Sequence, residues 1–558
     1  MKSKIILLLL LATSLTHCRQ AATQEKETST ETEKKPAPFS WRNATVYFLL
    51  TDRFYNGDKT NDVNYNRKEK AATLRGFEGG DLKGITQKIN DGYFDRLGVT
   101  AIWLTPVVEQ IHSGTDEGTG FTYGYHGYWA RDWTALEPNF GTEQDLLEMV
   151  DTAHQHGIRI LLDVVANHTG PVTRQDPAWP NSWVRQGPTC TYKGYETTIS
   201  CTLVKNLPDV HTESNQPVAL PDALKRKWQQ EGRLERETKE LDDFFQATGY
   251  PRAARYYLIK WLSDYVRKYG IDGFRVDTAK HTEAEIWAEL KKEAEKALAD
   301  WKKQHPDKKL DDNGFFMVGE VYGYGAGSGR AYDYGDRKVD FFANGFESLI
   351  NFAFKYDAKG TYDQLFAKYD TVLHGGSLDG RNVLNYLASH DDGDPFDRGR
   401  KMPLEAGTKL LLTQGAAQVY YGDELARPLE VAGAEGDANM RSFMNWEQME
   451  KDSTVRITLE HWSKLGRFRK AHPAVGDGKH RKHQDAPYIF SRSYEQNGYA
   501  DQVLVALDVP QGNKTVSVFG VFPEGTRLRD HYSDQAVSVK DGKVSLSTPF
   551  SLLLLAAE

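Results

Sequence analysis

Gly270-Ile271-Asp272-Gly273-Phe274-Arg275-Val276-Asp277-Thr278-Ala279-Lys280-His281 reads as a turn, a short strand and a charged cluster. Arg275 and Asp277 lie two apart, so on an extended strand their side chains share one face. A guanidinium beside a carboxylate favours the ionised form and aims it, which suits a nucleophile. An isolated pattern of this kind is more often a surface ion pair at a strand end. The surrounding chain decides between these readings.

Apolar strand patterns at 45–50, 101–104, 158–165, 315–320, 339–342, 383–389 and 418–421 bring the total, with the opening strand, to eight. Helical patterns at 142–156, 256–269 and 283–304 alternate with them; the first has a threonine near its start and Gly157 at its end. Repeated βα alternation predicts an α/β fold, a (β/α)8 TIM barrel. Its catalytic barrel covers 40–166 and 254–471, with a domain inserted at 167–253 after strand 3. The charged run Leu224–Asp243 in that insertion reads as a solvated helix. Short alternating segments over 472–558 predict a C-terminal antiparallel β-sandwich.

Asn167, His168, Asp277, Glu320, His390 and Asp391 all fall where predicted strands end. The C-terminal ends of barrel strands form the active face, so these distant positions converge on one site. Each alone could be a satisfied strand-end polar group; together they point to chemistry. Gly323–Gly329 superficially suits a dinucleotide motif but opens no helix, so it reads as a loop at the cleft mouth. The stretch Asn56–Asp62, dense in side-chain oxygens around Gly57, suits a hard cation or an Asx-rich turn.

A net charge of −8, spread over both signs, gives no electrostatic case for nucleic acid. Lys2 and Lys4 precede an apolar run, Ile5–Ala12, too short to span a membrane, which leads into Leu15-Thr16-His17-Cys18. This resembles a bacterial lipoprotein signal with Cys18 as the lipidated residue, although His17 departs from the usual small residue and leaves plain cleavage open. Residues 19–39 read as a flexible tether. The expectation is an exported protein, anchored to the cell envelope or secreted, touching membrane only through that anchor. Cys190 and Cys201 then pair as a short-loop disulfide in an oxidising compartment, or stay two thiols in a reducing one.

The motifs Asp163-Val-Val-Ala-Asn-His168, Leu207-Pro-Asp209, Gly273–His281, Gly319-Glu-Val321 and Ser389-His-Asp391 occur in the order seen in the α-amylase superfamily, glycoside hydrolase family 13. Tyr125–Asp132 looks particularly like the cyclodextrin glucanotransferase branch and its amylase relatives. The resemblance covers residues 43–558. It implies an α-amylase acting on an α-glucan with retention, with Asp277 as nucleophile, Glu320 as general acid/base and Asp391 as third carboxylate. His126, His168 and His390 would bond sugar hydroxyls, Tyr128 would stack, and Arg275, Lys280 and His281 would complete the cleft. Asp437 and Arg441 match a pair gripping a more distant glucose.

The same resemblance implies Ca2+. Asn167, Asp209 and the His281 carbonyl match one site; Asn56, Asp58, Asn61, Asp62, Asp81 and the Gly79 carbonyl match a second. Lys205 stands where glucanotransferases place an aromatic that guides cyclisation, and the chain ends after one β-domain. Both favour hydrolysis, and the chain is expected to act as a monomer. A transglycosylase is the alternative, with Tyr322 able to line an acceptor site. A non-catalytic glucan-binding surface protein is the reading from another class, opposed by the presence of all three carboxylates.

Overall fold

Strand β1 (Thr45–Leu49) is buried along its whole length. The same holds for β2 (Ala101–Leu104), β3 (Arg159–Val164), β4 (Gly273–Val276), β5 (Phe316–Gly319), β6 (Ser348–Asn351), β7 (Asn382–Tyr386) and β8 (Ala416–Tyr420). Burial on both faces is why these strands read as continuous apolar runs. They close into a parallel barrel, β1-β8-β7-β6-β5-β4-β3-β2. The register sets Arg275 of β4 opposite Asp163 of β3, so their side chains face the same way. The computed structural model describes residues 37–558, which form one compact unit. The leader with Cys18 lies outside the described residues.

Strand six differs from expectation. The segment expected there, 339–342, is not in the barrel. Lys338–Asp340 pairs with Ala331–Asp333 as an antiparallel hairpin outside it, and Phe341–Asn344 makes a 3-10 turn. The barrel strand, Ser348–Asn351, hides two polar residues in the core. Asn351 donates to Asn385 Oδ1 at 2.8 Å and to the Tyr369 hydroxyl at 2.6 Å. These bonds satisfy the amide and make a polar residue tolerable inside the barrel. Apolarity alone therefore pointed to the wrong segment.

Helix Ala254–Tyr269 runs directly into β4 through Gly270. Gly270 has φ +74°, and a Cβ there would lie 2.3 Å from the Trp301 ring, so the turn that opens the deciding stretch requires glycine. Helix Glu143–Gln155 starts at a capping box: Asp145 N–H donates to Thr142 Oγ1, and Thr142 N–H to Asp145 Oδ2.

Between β3 and helix Ala254–Tyr269 the chain makes a long excursion. The charged run there forms two helices, Asp222–Gln230 and Leu234–Thr248, rather than one solvated helix. Trp228, Leu241 and Phe245 anchor them inward. At the break, Arg233 pairs with Asp132 at 2.9 Å and Glu231 at 2.7 Å. Cys190 and Cys201 are joined as a disulfide.

After helix Ser453–Ala471, β9 (Lys479–Gln484), β10 (Tyr488–Gln496), β11 (Tyr499–Leu507), β12 (Gly512–Ser517), β13 (Arg527–Asp530), β14 (Gln535–Ser538), β15 (Lys543–Thr548) and β16 (Leu552–Ala557) form two antiparallel sheets. One is ordered β9-β10-β11-β16-β13-β14 and the other is the pair β12-β15. Leu504, Leu528, Leu553 and Leu555 from the first meet Val516 and Val544 from the second in a shared core, the sandwich arrangement. Among the described residues, no helix is long and apolar enough to cross a membrane.

Thr142→Ala removes the oxygen that satisfies an orphan donor of helix Glu143–Gln155. It is expected to cost about 1 kcal/mol, read as a lower denaturation midpoint with the transition slope unchanged.

Candidate active site

Four of the barrel's strand ends supply the site. Asp277 follows β4, Glu320 follows β5, His390 and Asp391 lie just beyond β7, and Asn167 and His168 follow β3. The sequence-predicted carboxylates Asp277 and Glu320 meet on one side chain, that of Arg275. Its Nη1 lies 2.7 Å from Asp277 Oδ1, and its Nη2 3.0 Å from Glu320 Oε2. Nη1 also donates to both oxygens of Asp163 at 3.0 Å. The Arg275 side chain is 1% exposed, so these contacts are made away from water.

Asp163 is the site residue that motif reading underplays. It also accepts from the Tyr128 hydroxyl at 2.8 Å and from Trp103 Nε1 at 3.1 Å. One buried carboxylate thus fixes the guanidinium, the Tyr128 ring and a core tryptophan that stacks on Phe48 at 3.7 Å. The available signal was a lone acid inside the apolar run of β3.

Charge balance explains the acidities. Burial lifts the Asp277 carboxyl above the ordinary aspartate range, and Arg275 opposes this without cancelling it. Arg275 alone was expected to hold Asp277 ionised; one guanidinium shared among three carboxylates cannot do so fully. Glu320 is likewise raised: burial lifts it, Arg275 opposes, and the Asp277 and Asp391 charges lift it further. Asp163 is pushed up to about 7, by burial first, against Arg275, with Asp277 adding to the rise. Asp391 behaves oppositely. Desolvation presses it upward, yet His390 and Arg441 hold it well below the usual carboxylate range. Its Oδ2 lies 2.9 Å from His390 Nε2, and its Oδ1 pairs with Arg441 Nη2.

Arg441 is buried behind Asp391, where it also donates to the His390 carbonyl at 3.2 Å and pairs with Asp437 at 2.8 Å. Asp437 is held from its other side by Arg75 at 2.7 Å, a partner missed in the sequence reading. Tyr128 stacks parallel to His390 with centroids 5.2 Å apart. His126 Nδ1 accepts the Tyr128 N–H at 3.0 Å, leaving the other nitrogen as donor, and burial pushes the ring's pKa well down, so it is neutral. His168 is also neutral, pushed down by burial to about 4. Both its nitrogens face protein: Nε2 lies 3.2 Å from the Tyr128 carbonyl and Nδ1 3.4 Å from the Asn167 amide. His281 Nδ1 donates to the Thr198 carbonyl at 3.1 Å. Lys280 Nζ donates to the Tyr322 carbonyl at 3.1 Å and the Tyr332 hydroxyl at 3.3 Å.

The expected calcium ligands divide into residues that fit and residues already committed. Asp209 is buried, its Oδ1 has no hydrogen-bond partner, and burial pushes its carboxyl up to about 8. It pairs across a bridge with His168, beside Asn167, so these oxygens fit a hard cation. In the second group, Asn56 Oδ1 and Asn61 Oδ1 are buried and unpartnered, and a Cβ on Gly79 would lie 2.7 Å from Asp62 Oδ1. Asp62 Oδ1 accepts the Asn56 amide at 2.8 Å, so the free oxygens here are those of the two asparagines. Asp58 and Asp81 do not share that freedom. Asp58 Oδ2 pairs with Lys83 at 2.5 Å, and Asp81 accepts Gly84 N–H at 2.6 Å and Asp58 N–H at 2.7 Å. Among the described residues no cluster of three His, Cys, Asp or Glu is placed to hold a metal.

Asp163→Ala leaves a buried guanidinium one carboxylate short. Breaking a buried pair from one side costs about 3–5 kcal/mol. The expected result is a large drop in thermal midpoint together with loss of activity, whereas Asp163→Asn retains more of both.

The chain is 39% identical over 502 residues to a periplasmic alpha-amylase of Escherichia coli (strain K12), covering 79% of this chain and 69% of that protein. It is 26% identical over 535 residues to a cyclomaltodextrin glucanotransferase of Thermoanaerobacterium thermosulfurigenes, covering 91% of this chain and 66% of that one. The chain thus spans about two thirds of the length of these relatives. Among solved structures, an Anoxybacillus alpha-amylase superposes with a TM-score of 0.65 at 23% identity, covering 93% of this chain and 99% of the other. A cyclomaltodextrin glucanotransferase with a three-domain ABC distribution gives 0.63 at 22% identity, with 92% and 99% covered. Residues 48–475 match the family model of the alpha-amylase catalytic domain, and this chain belongs to that family.

Proposed function

We propose that the chain is a retaining α-amylase that hydrolyses α-1,4-glucosidic bonds of starch, glycogen or maltooligosaccharides. The observation that carries this is the seating of Asp277 and Glu320 on adjacent nitrogens of one guanidinium. That arrangement suits the short carboxyl separation of about 5 Å used in retention, rather than the wider gap that admits a water in inversion.

Asp277 attacks the anomeric carbon and forms a glucosyl ester while Glu320 gives its proton to the departing oxygen. Glu320 then takes a proton from water, which releases the sugar from Asp277. Three carboxylates sharing one cation favour retention of a proton, and Glu320 is the group best suited to hold it. Besides Arg275, its Oε2 meets one donor, the Thr278 N–H at 2.9 Å, whereas Asp163 besides Arg275 accepts from both Tyr128 and Trp103. Asp391, kept ionised by Arg441, orients sugar hydroxyls and raises Glu320. Tyr128 offers an aromatic face, and His126 and His390 donate to hydroxyls. His168, with both nitrogens turned to protein, holds Tyr128 and Asn167 in place.

Asn167, Asp209 and the His281 carbonyl would hold one Ca2+, and Asn56, Asn61, Asp62 and the Gly79 carbonyl a second. A bound ion would supply a structural tie between strand ends and the excursion after β3, adding to the countercharge that Arg185 gives Asp209 at 3.3 Å. We place the enzyme outside the cytoplasm. The leader, the disulfide and the periplasmic relative support export, and lipidation of Cys18 is the form of anchoring proposed.

Transfer to a sugar acceptor is the second reading. It is favoured by Tyr322, 58% exposed beside Lys280, which could seat an acceptor. Lys205, exposed where an aromatic would guide cyclisation, supports hydrolysis. The single C-terminal β-domain carries no weight either way, since a three-domain glucanotransferase shares the architecture.

Protein spanning 39–558, given maltoheptaose, is expected to yield shorter linear products; cyclic or longer chains would establish transfer instead. Asp277→Asn should abolish turnover with the fold and melting temperature retained. Glu320→Gln should lower kcat by about a hundred- to ten-thousandfold. Because Glu320 must be protonated and its pKa is raised, activity should persist above the ordinary glutamate range and fall as pH rises through the raised value. Chelation of calcium should lower the melting temperature, and Asp209→Ala should reproduce that loss with the chelator adding little.

A further inference from the structure

The hairpin Ala331–Asp333/Lys338–Asp340 leaves the barrel soon after Glu320 and meets the excursion after β3 at its tip. Asp336 Oδ1 accepts the Tyr195 N–H at 2.8 Å. Its other oxygen lies against Gly194, 2.4 Å from where a Cβ would sit. The Arg337 guanidinium covers the Tyr195 ring at 4.2 Å, and Tyr195 meets Tyr334 edge-on at 5.1 Å. Tyr195 and Gly194 belong to the loop closed by Cys190–Cys201.

The two gripping elements converge on the residues that follow the nucleophile. From the disulfide loop, the Thr198 carbonyl accepts from His281 Nδ1 at 3.1 Å. From the hairpin, the Tyr334 hydroxyl donates to the Lys280 carbonyl at 2.8 Å and the Tyr332 hydroxyl to the Tyr322 carbonyl at 3.2 Å. The Lys280 ammonium then sits between the rings of Tyr322 and Tyr332, 5.3 and 5.4 Å from their centroids. A free lysine would lose considerable rotamer entropy on binding a sugar; here the hairpin imposes that order before substrate arrives.

We propose that the hairpin clasped onto the disulfide-closed loop is a positioning element for the leaving-group side of the cleft. It sets how strongly the enzyme prefers glucans that extend past the broken bond. This rests on the assignment of Glu320 as acid: the group that protonates the departing oxygen lies on the departing sugar's side, and Tyr322 and Lys280 flank it there. Asp336, Tyr195 and the disulfide touch no substrate in this scheme. They act through Lys280 and Tyr322.

The test compares wild type, Asp336→Ala and Asp336→Asn on maltoheptaose and on a nitrophenyl α-maltotrioside, whose leaving group carries no sugar. Asp336→Ala should raise KM for maltoheptaose about five- to tenfold, the size of one lost hydrogen bond, with kcat and KM for the aryl substrate unchanged. Asp336→Asn, which keeps an acceptor oxygen for the Tyr195 N–H, should recover most of the loss. The Cys190→Ser/Cys201→Ser pair should shift KM in the same direction. Equal losses on both substrates would overturn the proposal in favour of a general structural role, and so would unchanged kinetics on maltoheptaose. Wild-type inactivity on both substrates would instead overturn the hydrolase reading, and the clasp's role with it.

Discussion

One buried guanidinium organises this molecule's chemistry. Arg275 is reached by Asp163 from the neighbouring strand, by Asp277 two residues on, and by Glu320 from the strand on its other side. A charge taken out of water this fully is tolerable only when paired and hydrogen-bonded. Three carboxylates around it create the converse problem, an excess of negative charge. Burial lifts Glu320 and Asp277 first, and the neighbouring carboxylate charges add to the rise against Arg275. In the proposed mechanism, a pKa suited to donating a proton follows from the burial and the charges that also hold the site rigid.

The barrel alone does not make the cleft. Tyr128, which bonds Asp163 and stacks on His390, comes from the long connection between β2 and β3. Asp209, beside Asn167, comes from the excursion after β3. Arg441, which holds Asp391, comes from beyond β8. Each wall is tied to a strand end by a charge or a buried hydrogen bond. The catalytic geometry therefore depends on segments that are remote in sequence and loop-borne, positioned by a rigid scaffold.

In the proposed mechanism, hydrolysis and transfer share the attack by Asp277 and differ in which hydroxyl, water's or a sugar's, takes the glucosyl group. On the acceptor side proposed above, Tyr322 and Lys280 are held by Tyr332 and Tyr334 rather than by the barrel. Solved structures of both kinds superpose on this fold. Fold alone therefore does not decide between hydrolysis and transfer.

Much of this was legible in the chain itself. Burial on both faces makes parallel strands read as apolar runs, so seven of the barrel's strand positions and the carboxylates that end them follow from periodicity and motif. Strand six did not, because Ser348 and Asn351 look polar until Asn385 and Tyr369 are seen to satisfy Asn351. Asp58 looked like a cation ligand by composition and Asp81 by resemblance, yet Lys83 and backbone N–H groups already bond them. The division has a physical basis. Identity and spacing determine which groups can meet at a strand end, since those depend on local geometry. Whether a carboxylate is free, shared or spent depends on partners brought from distant segments, and only the tertiary structure decides that.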